Sequence, residues 1–232
     1  MFNNNSTVIQ SMKTLSAKQA LSIRKNTIVP GGIWTDCIGE MDRHGVVFFW
    51  GNSGQGKTSA VVSFCKELCA FGNVLYVSLE EGFSLSMQNT LRRFGMQECG
   101  TRFQIAESMS MAELEERLKK QRSPEFIVID SFQYAQMSYR DYIKFKEAHR
   151  NKLLIFISHA DGKQPEGRAA RSVKYDAGLK IWVEGHVAVS LGRFIGRTAK
   201  AVIWRKKAEE YWGTTEFGEG ELVKQNDSEK IQ

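Results

Sequence analysis

The chain has 232 residues, of which 42% are hydrophobic, enough apolar material for one packed α/β domain. Its formal charge of +6 favours a polyanionic partner. The four cysteines, Cys37, Cys65, Cys69 and Cys99, have neither zinc-finger spacing nor a disulfide framework, and no apolar run approaches membrane-spanning length, so a reducing cytoplasm is expected and export or membrane insertion is not.

Residues 1–30 read as an N-terminal arm, with a polar start and then a short basic amphipathic helix over Ser16 to Lys25, closed by Pro30-Gly31-Gly32. That helix either packs on its own domain or docks on a neighbouring subunit. Residues 31–213 read as the core and 214–232 as a flexible polar tail. Gly31 to Gly45 is expected to be loop-rich. Val46 to Trp50, β-branched and aromatic, predicts a buried strand, and Ser59 to Phe71 carries apolar residues at helical spacing. Between them stands Gly51-Asn52-Ser53-Gly54-Gln55-Gly56-Lys57-Thr58, a match to G-x-x-x-x-G-K-[ST]. Its glycines let successive backbone N–H groups face inward on a phosphate, and the helix start adds its positive dipole end. Lys57 would reach the terminal phosphates and the Thr58 hydroxyl would hold Mg²⁺, so Gly51 through Thr58, with Ser59, are the expected binding residues for ATP and Mg²⁺.

Asn73 to Leu79 predicts a second buried strand ending at Glu80-Glu81-Gly82, followed by a helix over Ser84 to Phe94 and a strand over Arg102 to Ala106. Ser110 and Glu113 have capping-box spacing and open a helix to about Arg122. Phe126-Ile127-Val128-Ile129-Asp130 is a central parallel strand that delivers a carboxylate to its C-terminal end, where α/β sheets bind ligands. A helix over Tyr139 to His149 and a strand over Leu153 to Ser158, ending at His159, come next. From Ala160 to Lys174 the hydrophobic signal disappears, and Lys163, Arg168, Arg171 and Lys174 mark a long basic loop. Leu179 to Glu184, His186 to Leu191 and Ala201 to Arg205 predict short strands forming antiparallel hairpins at the sheet edge.

Phosphoryl transfer needs a phosphate cradle, a metal, an oriented water and charge neutralisation. Asp130 suits the metal-side carboxylate, alongside Thr58. Glu80, just past its strand, suits the group that orients the attacking water, with Glu81 as the competing candidate. His159 could sense the γ-phosphate and pass that state to the basic loop, or could simply cap its strand.

Taken in order, Gly51 to Thr58, Leu75-Tyr76-Val77-Ser78-Leu79-Glu80-Glu81, Ile127-Val128-Ile129-Asp130-Ser131 and Phe156-Ile157-Ser158-His159 resemble the core of the RecA superfamily, nearest its RadA and DnaB-type branch. The resemblance spans about Gly32 to Gly213. It implies a mostly parallel central sheet flanked by helices, Glu80 as catalytic glutamate, Asp130 as Walker B aspartate and His159 as γ-phosphate sensor. It also implies that the loop after His159 binds DNA. Gly192-Arg193-Phe194 resembles the element whose basic residues reach the ATP of the adjacent subunit, although Leu191 stands where that element has lysine; Arg205, Lys206 and Lys207 are possible substitutes for Arg193. The expectation is a DNA-dependent ATPase of recombination, repair or replication. It would act as a homo-oligomer on single-stranded DNA, held by Lys163, Arg168, Arg171 and Lys174 with Tyr134 or Tyr139 for base stacking. The alternatives are a nucleotide-switched scaffold ATPase resembling KaiC, working through protein partners, and a small-molecule kinase.

Overall fold

In the computed structural model, which describes residues 14–191 and 199–213, the apolar runs become the strands of one central sheet. The elements in chain order are α1 (Ala17–Ser22), β1 (Thr27–Ile28), α2 (Ile33–Ile38), β2 (Met41–Asp42), β3 (Gly45–Gly51), α3 (Lys57–Leu68), β4 (Val74–Ser78) and α4 (Leu85–Arg93). A 3₁₀ segment (Met96–Arg102), β5 (Phe103–Glu107), α5 (Met111–Lys119), β6 (Phe126–Asp130), α6 (Tyr139–Ala148) and β7 (Leu153–Asp161) follow. The chain continues through β8 (Gln164–Pro165), α7 (Arg168–Asp176), β9 (Leu179–Glu184), β10 (Val187–Ser190), β11 (Ala199–Val202) and α8 (Arg205–Trp212).

The strand order is β11-β10-β9-β3-β7-β6-β4-β5, with β8 folded back on β7. From β9 to β5 the neighbours are parallel, and β10 and β11 add antiparallel pairs at one edge, as the sequence predicts for a hairpin there. Such runs are apolar at consecutive positions because both faces are covered. Val47, Phe49, Val74, Tyr76, Phe126 and Val128 face a core built on α2 and α3, while Phe48, Trp50, Leu75, Val77, Ile127 and Ile129 face Leu114, Tyr142, Phe145 and Val173 of α5, α6 and α7. Each buried Phe or Leu stabilises this two-sided core by ~1.5–3 kcal/mol relative to an exposed one. The predicted capping box forms: the Glu113 N–H donates to Ser110 Oγ and the Ser110 N–H to Glu113 Oε2.

Three stretches differ from expectation. The segment Gly31 to Gly45 holds helix α2, because Trp34, Cys37 and Ile38 fall on one buried face of a short turn. The last predicted strand ends at Val202, and α8 begins at Arg205; with only Ala208 buried, this helix has almost no apolar stripe to read. The basic loop is mostly regular structure: β7 runs on to Asp161, β8 pairs with it, and α7 opens at Arg168. Only Ala170 and Val173 are buried in α7, too few to register as a period. The expected short helix near the N-terminus is α1, all of whose residues lie outside the core. Residues 1–13, 214–232 and the segment with Arg193 lie outside the described residues.

Candidate functional site: a phosphate loop facing strand-end acids

Parallel strands bring their C-terminal ends to one rim, where the sequence motifs meet. β3 runs into the glycine-rich loop, β4 into Glu80-Glu81, β6 ends on Asp130, and Gly51 pairs with His159 across β3 and β7. Strand alternation decides which side chains face each other. Phe126 and Val128 point to the α3 face, so Asp130, in phase with them, does too; Tyr76 of β4 has the same parity. The Tyr76 hydroxyl accordingly donates to Asp130 Oδ2 at 2.5 Å. The main chain leaving β4 stays tied to β6, since the N–H groups of Leu79 and Glu80 both donate to the Asp130 carbonyl, at 2.6 and 3.3 Å. This fixes Glu80 beside Asp130.

The loop itself opens α3; close approach sets Gly51 and Gly56, while Gly54 is set by its positive φ of 73°. Gly51 lies so near the Val183 carbonyl that no Cβ fits there. Asn52, Ser53 and Gly54 are exposed, Ser59 is buried, and Lys57 Nζ donates to the Asn52 carbonyl at 3.0 Å. Electrostatically the rim is one connected group. Burial pushes Lys57 down, while the charges of Asp130, Glu80 and Glu81 pull it back up. Asp130, 4% exposed, is pushed up from 3.8 to about 6, chiefly by burial and further by Glu80 and Glu81, against the Tyr76 hydrogen bond and the Lys57 charge. Glu81 is raised by burial and by Glu80, opposed by Lys57. An ammonium set among crowded carboxylates is ready for a polyanion that brings its own cation.

Among the described residues no three His, Cys, Asp or Glu side chains gather to hold a metal alone. Thr58 in the first turn of α3 and Asp130 at the end of β6 are the residues that would hold a hard ion such as Mg²⁺, which keeps waters and takes its remaining ligands from phosphate.

His159 Nε2–H donates to Glu80 Oε2 at 2.8 Å, the carboxylate being an acceptor only, and His159 Nδ1 lies 3.8 Å from Glu166 Oε2. Gln133 locks this corner: its Oε1 accepts the His159 N–H at 3.2 Å, and its Nε2 donates to Ser158 Oγ at 2.9 Å and to the Glu166 carbonyl at 3.1 Å. The pair therefore sits at the root of the β7–β8 hairpin.

Of the expected basic contacts, Lys163 lies at the hairpin tip, where its carbonyl accepts the Trp50 indole N–H at 3.1 Å, and Arg168 is the exposed first residue of α7. Arg171 donates to the Pro165 carbonyl at 3.1 Å and reaches Asp161 at 3.3 Å; Lys174 donates to Gln164 Oε1 at 3.0 Å and stands 4.3 Å from the Trp50 ring centre. These two brace hairpin to helix. Tyr134, 54% exposed, lies 6.5 Å from the His159 ring. Of the suggested substitutes for Arg193, Arg205 is paired with Glu209 at 2.8 Å and Lys207 with Glu210 at 2.6 Å.

Sequence reading missed Tyr76, Gln133, Arg93 and Trp204. Strand parity could have found Tyr76. Arg93 stacks 3.7 Å over the Trp204 ring and donates to Ser59 Oγ at 3.3 Å, beside the start of α3; only the fold brings these residues together, and no local pattern announces them.

No protein-family model and no curated protein matches the chain. Solved structures do. The flagellar accessory protein FlaH from Methanocaldococcus jannaschii is 13% identical with a TM-score of 0.53, over 73% of this chain and 88% of that one. NeqB, an ATP synthase subunit from Nanoarcheaum equitans, is 9% identical with a TM-score of 0.53, over 69% of this chain and 51% of its own length. The ATPase domain of a third protein is 15% identical with a TM-score of 0.52, over 72% and 83%. Likeness at such identities is likeness of fold alone, a RecA-like α/β fold with a mostly parallel central sheet. No described helix is long and apolar enough to cross a membrane.

Proposed function

We propose that the chain is a Mg²⁺-dependent ATPase of the cytoplasm that assembles as a homo-oligomer and couples hydrolysis to single-stranded DNA. The observation that carries the reading is the meeting of the glycine-rich loop, Asp130 and the Glu80–His159 pair at one rim of the parallel sheet, with the β7–β8 hairpin continuing directly from His159. The loop amides and Lys57 hold the phosphates, and Thr58 and Asp130 hold Mg²⁺, which supplies charge neutralisation when bound. Arg93 and Trp204, next to Ser59, supply a flat cationic and aromatic wall for a purine. Glu80 orients the attacking water, and its bond to His159 links that task to the hairpin. Lys163 and Arg168 meet DNA phosphates while Arg171 and Lys174 keep the hairpin in shape; Arg193 or Lys206 acts on a neighbour's nucleotide. The formal charge of +6 favours such a partner.

The test is ATP turnover with and without single-stranded oligonucleotides, together with sedimentation in ATP-γ-S. Stimulated turnover and DNA-dependent assembly support the reading, and a fully active monomer indifferent to any nucleic acid removes it. One observation favours a second reading, in which the chain is a nucleotide-switched scaffold acting through protein partners. Arg171 and Lys174 are engaged within the chain, which thins the basic surface. Nucleotide-dependent capture of a protein partner with no DNA shift in ATP would support it.

A further inference from the structure

A glycine-rich loop has much conformational freedom to lose when it closes on a ligand. Nothing described lies within 4 Å of where a Cβ on Gly54 would stand, so the loop's crest is free of packing. Gln55 is held. Its side-chain Oε1 accepts the Gly185 N–H at 2.6 Å, and its backbone carbonyl accepts the His186 N–H at 3.0 Å. The first bond fixes the amide orientation, because an N–H donor needs the oxygen. Strand pairing between β3 and β9 ends with Trp50 opposite Trp182, and these two bonds extend the contact beyond the strands into the loop.

The β9–β10 turn is braced in its own right. The Ile203 N–H donates to the His186 carbonyl at 2.9 Å, and the Tyr211 hydroxyl donates to Glu184 Oε1 at 3.3 Å. Trp212 and Tyr211 of α8 press on Gly185 so closely that no side chain fits. The His186 ring lies against Gly56, where a Cβ would come within 2.6 Å of Nδ1, and that nitrogen is buried with no hydrogen-bond partner among the described residues. Here the imidazole acts as a wall for the loop. Burial holds it below the usual histidine range, helped by the charges of Lys207 and Arg93 and opposed by Glu210.

We infer that Gln55 is a positioning residue: its two bonds to the Gly185–His186 turn hold the phosphate loop in binding shape before nucleotide arrives, so the turn and α8 behind it set nucleotide affinity. This deepens, and rests on, the triphosphate reading above. The energetic logic is preorganisation, in which ordering done by the fold is not charged to the binding step.

The test pairs Gln55→Met, similar in length but without an acceptor, with Trp212→Ala, which leaves the loop intact and removes the backing of the turn. Hydrogen exchange is followed at the Gly185 amide in the ligand-free protein, and turnover is titrated with magnesium ATP. For Gln55→Met the expected result is faster exchange at Gly185 and a roughly five- to ten-fold rise in KM, with the loss in KM and not in kcat. Trp212→Ala moves both readouts the same way to a lesser degree. Unchanged exchange at Gly185, or faster exchange with unchanged KM, overturns the inference. Failure of the unaltered chain to bind magnesium ATP overturns the proposed function and this inference with it; the ligand-free exchange data tell the two failures apart.

Discussion

Replacing Tyr76 by Phe removes one hydroxyl from a fully buried side chain and leaves no cavity, so its effect reports on Asp130. The Asp130 carboxyl sits at about 6 instead of 3.8, raised chiefly by burial. Because the folded value lies above the unfolded one, the folded chain holds the proton more tightly, and stability falls as pH rises through that window. At about 1.4 kcal/mol per pH unit, the whole fall from 3.8 to about 6 is ~3 kcal/mol. The Tyr76 hydrogen bond limits this loss, since a bond to a charged acceptor is worth ~1.5–3 kcal/mol and one to a neutral acid ~0.5–1.5 kcal/mol. Tyr76→Phe should therefore cost about 1 kcal/mol at pH 5, where Asp130 is mostly protonated, and roughly 2–3 kcal/mol at pH 8. Denaturant unfolding of both proteins at the two pH values measures the difference without any ligand. The acid limb of ATP turnover should also move up by about one pH unit. An identical penalty at pH 5 and pH 8 would refute the assignment of Tyr76 as the group that keeps Asp130 ionisable.

Asp130→Asn removes the buried charge and keeps the shape, so at pH 8 it should raise unfolding stability, by up to ~3 kcal/mol, while turnover disappears; a destabilised variant would show that the charge is better compensated than burial implies. Glu80→Gln should lower turnover by ~10²-fold or more and leave ATP affinity within about two-fold, read by single-turnover hydrolysis beside equilibrium binding. Joint reversal of Lys163 and Arg168 to Glu should abolish stimulation by single-stranded DNA without weakening ATP binding. Reversal of Arg171 should instead loosen the hairpin, visible as faster exchange of the Glu166 amide, which donates to the His159 carbonyl at 2.9 Å.

What the sequence disclosed, and what it hid, follows from how each element is stabilised. β3, β4, β6 and β7 are buried on both faces, so each shows a continuous apolar run ending at the polar residue that matters, and the glycine-rich loop is constrained by its own backbone demands. α2, α7 and α8 hold their places with only one to three buried residues each, and no period emerges from so few. Charge is legible as composition, but its partners are not. Lys163, Arg168, Arg171 and Lys174 look alike in the chain, yet Arg171 and Lys174 are spent on the hairpin. Arg93 against Trp204, and Gln55 against the Gly185–His186 turn, are products of topology: β9 lies beside β3 although much of the chain intervenes.

The proposed function requires that the loop amides and the Lys57 ammonium grip a triphosphate opposed by the strand-end acids. Titration of magnesium ATP into the unaltered chain and into Lys57→Ala, by calorimetry with turnover measured on the same samples, tests it most directly. Saturable binding and hydrolysis are expected of the first, and loss of turnover with affinity reduced at least ~100-fold of the second, as when a half-buried charge-assisted contact to phosphate is removed. Equal binding and equal turnover by the two proteins would contradict it.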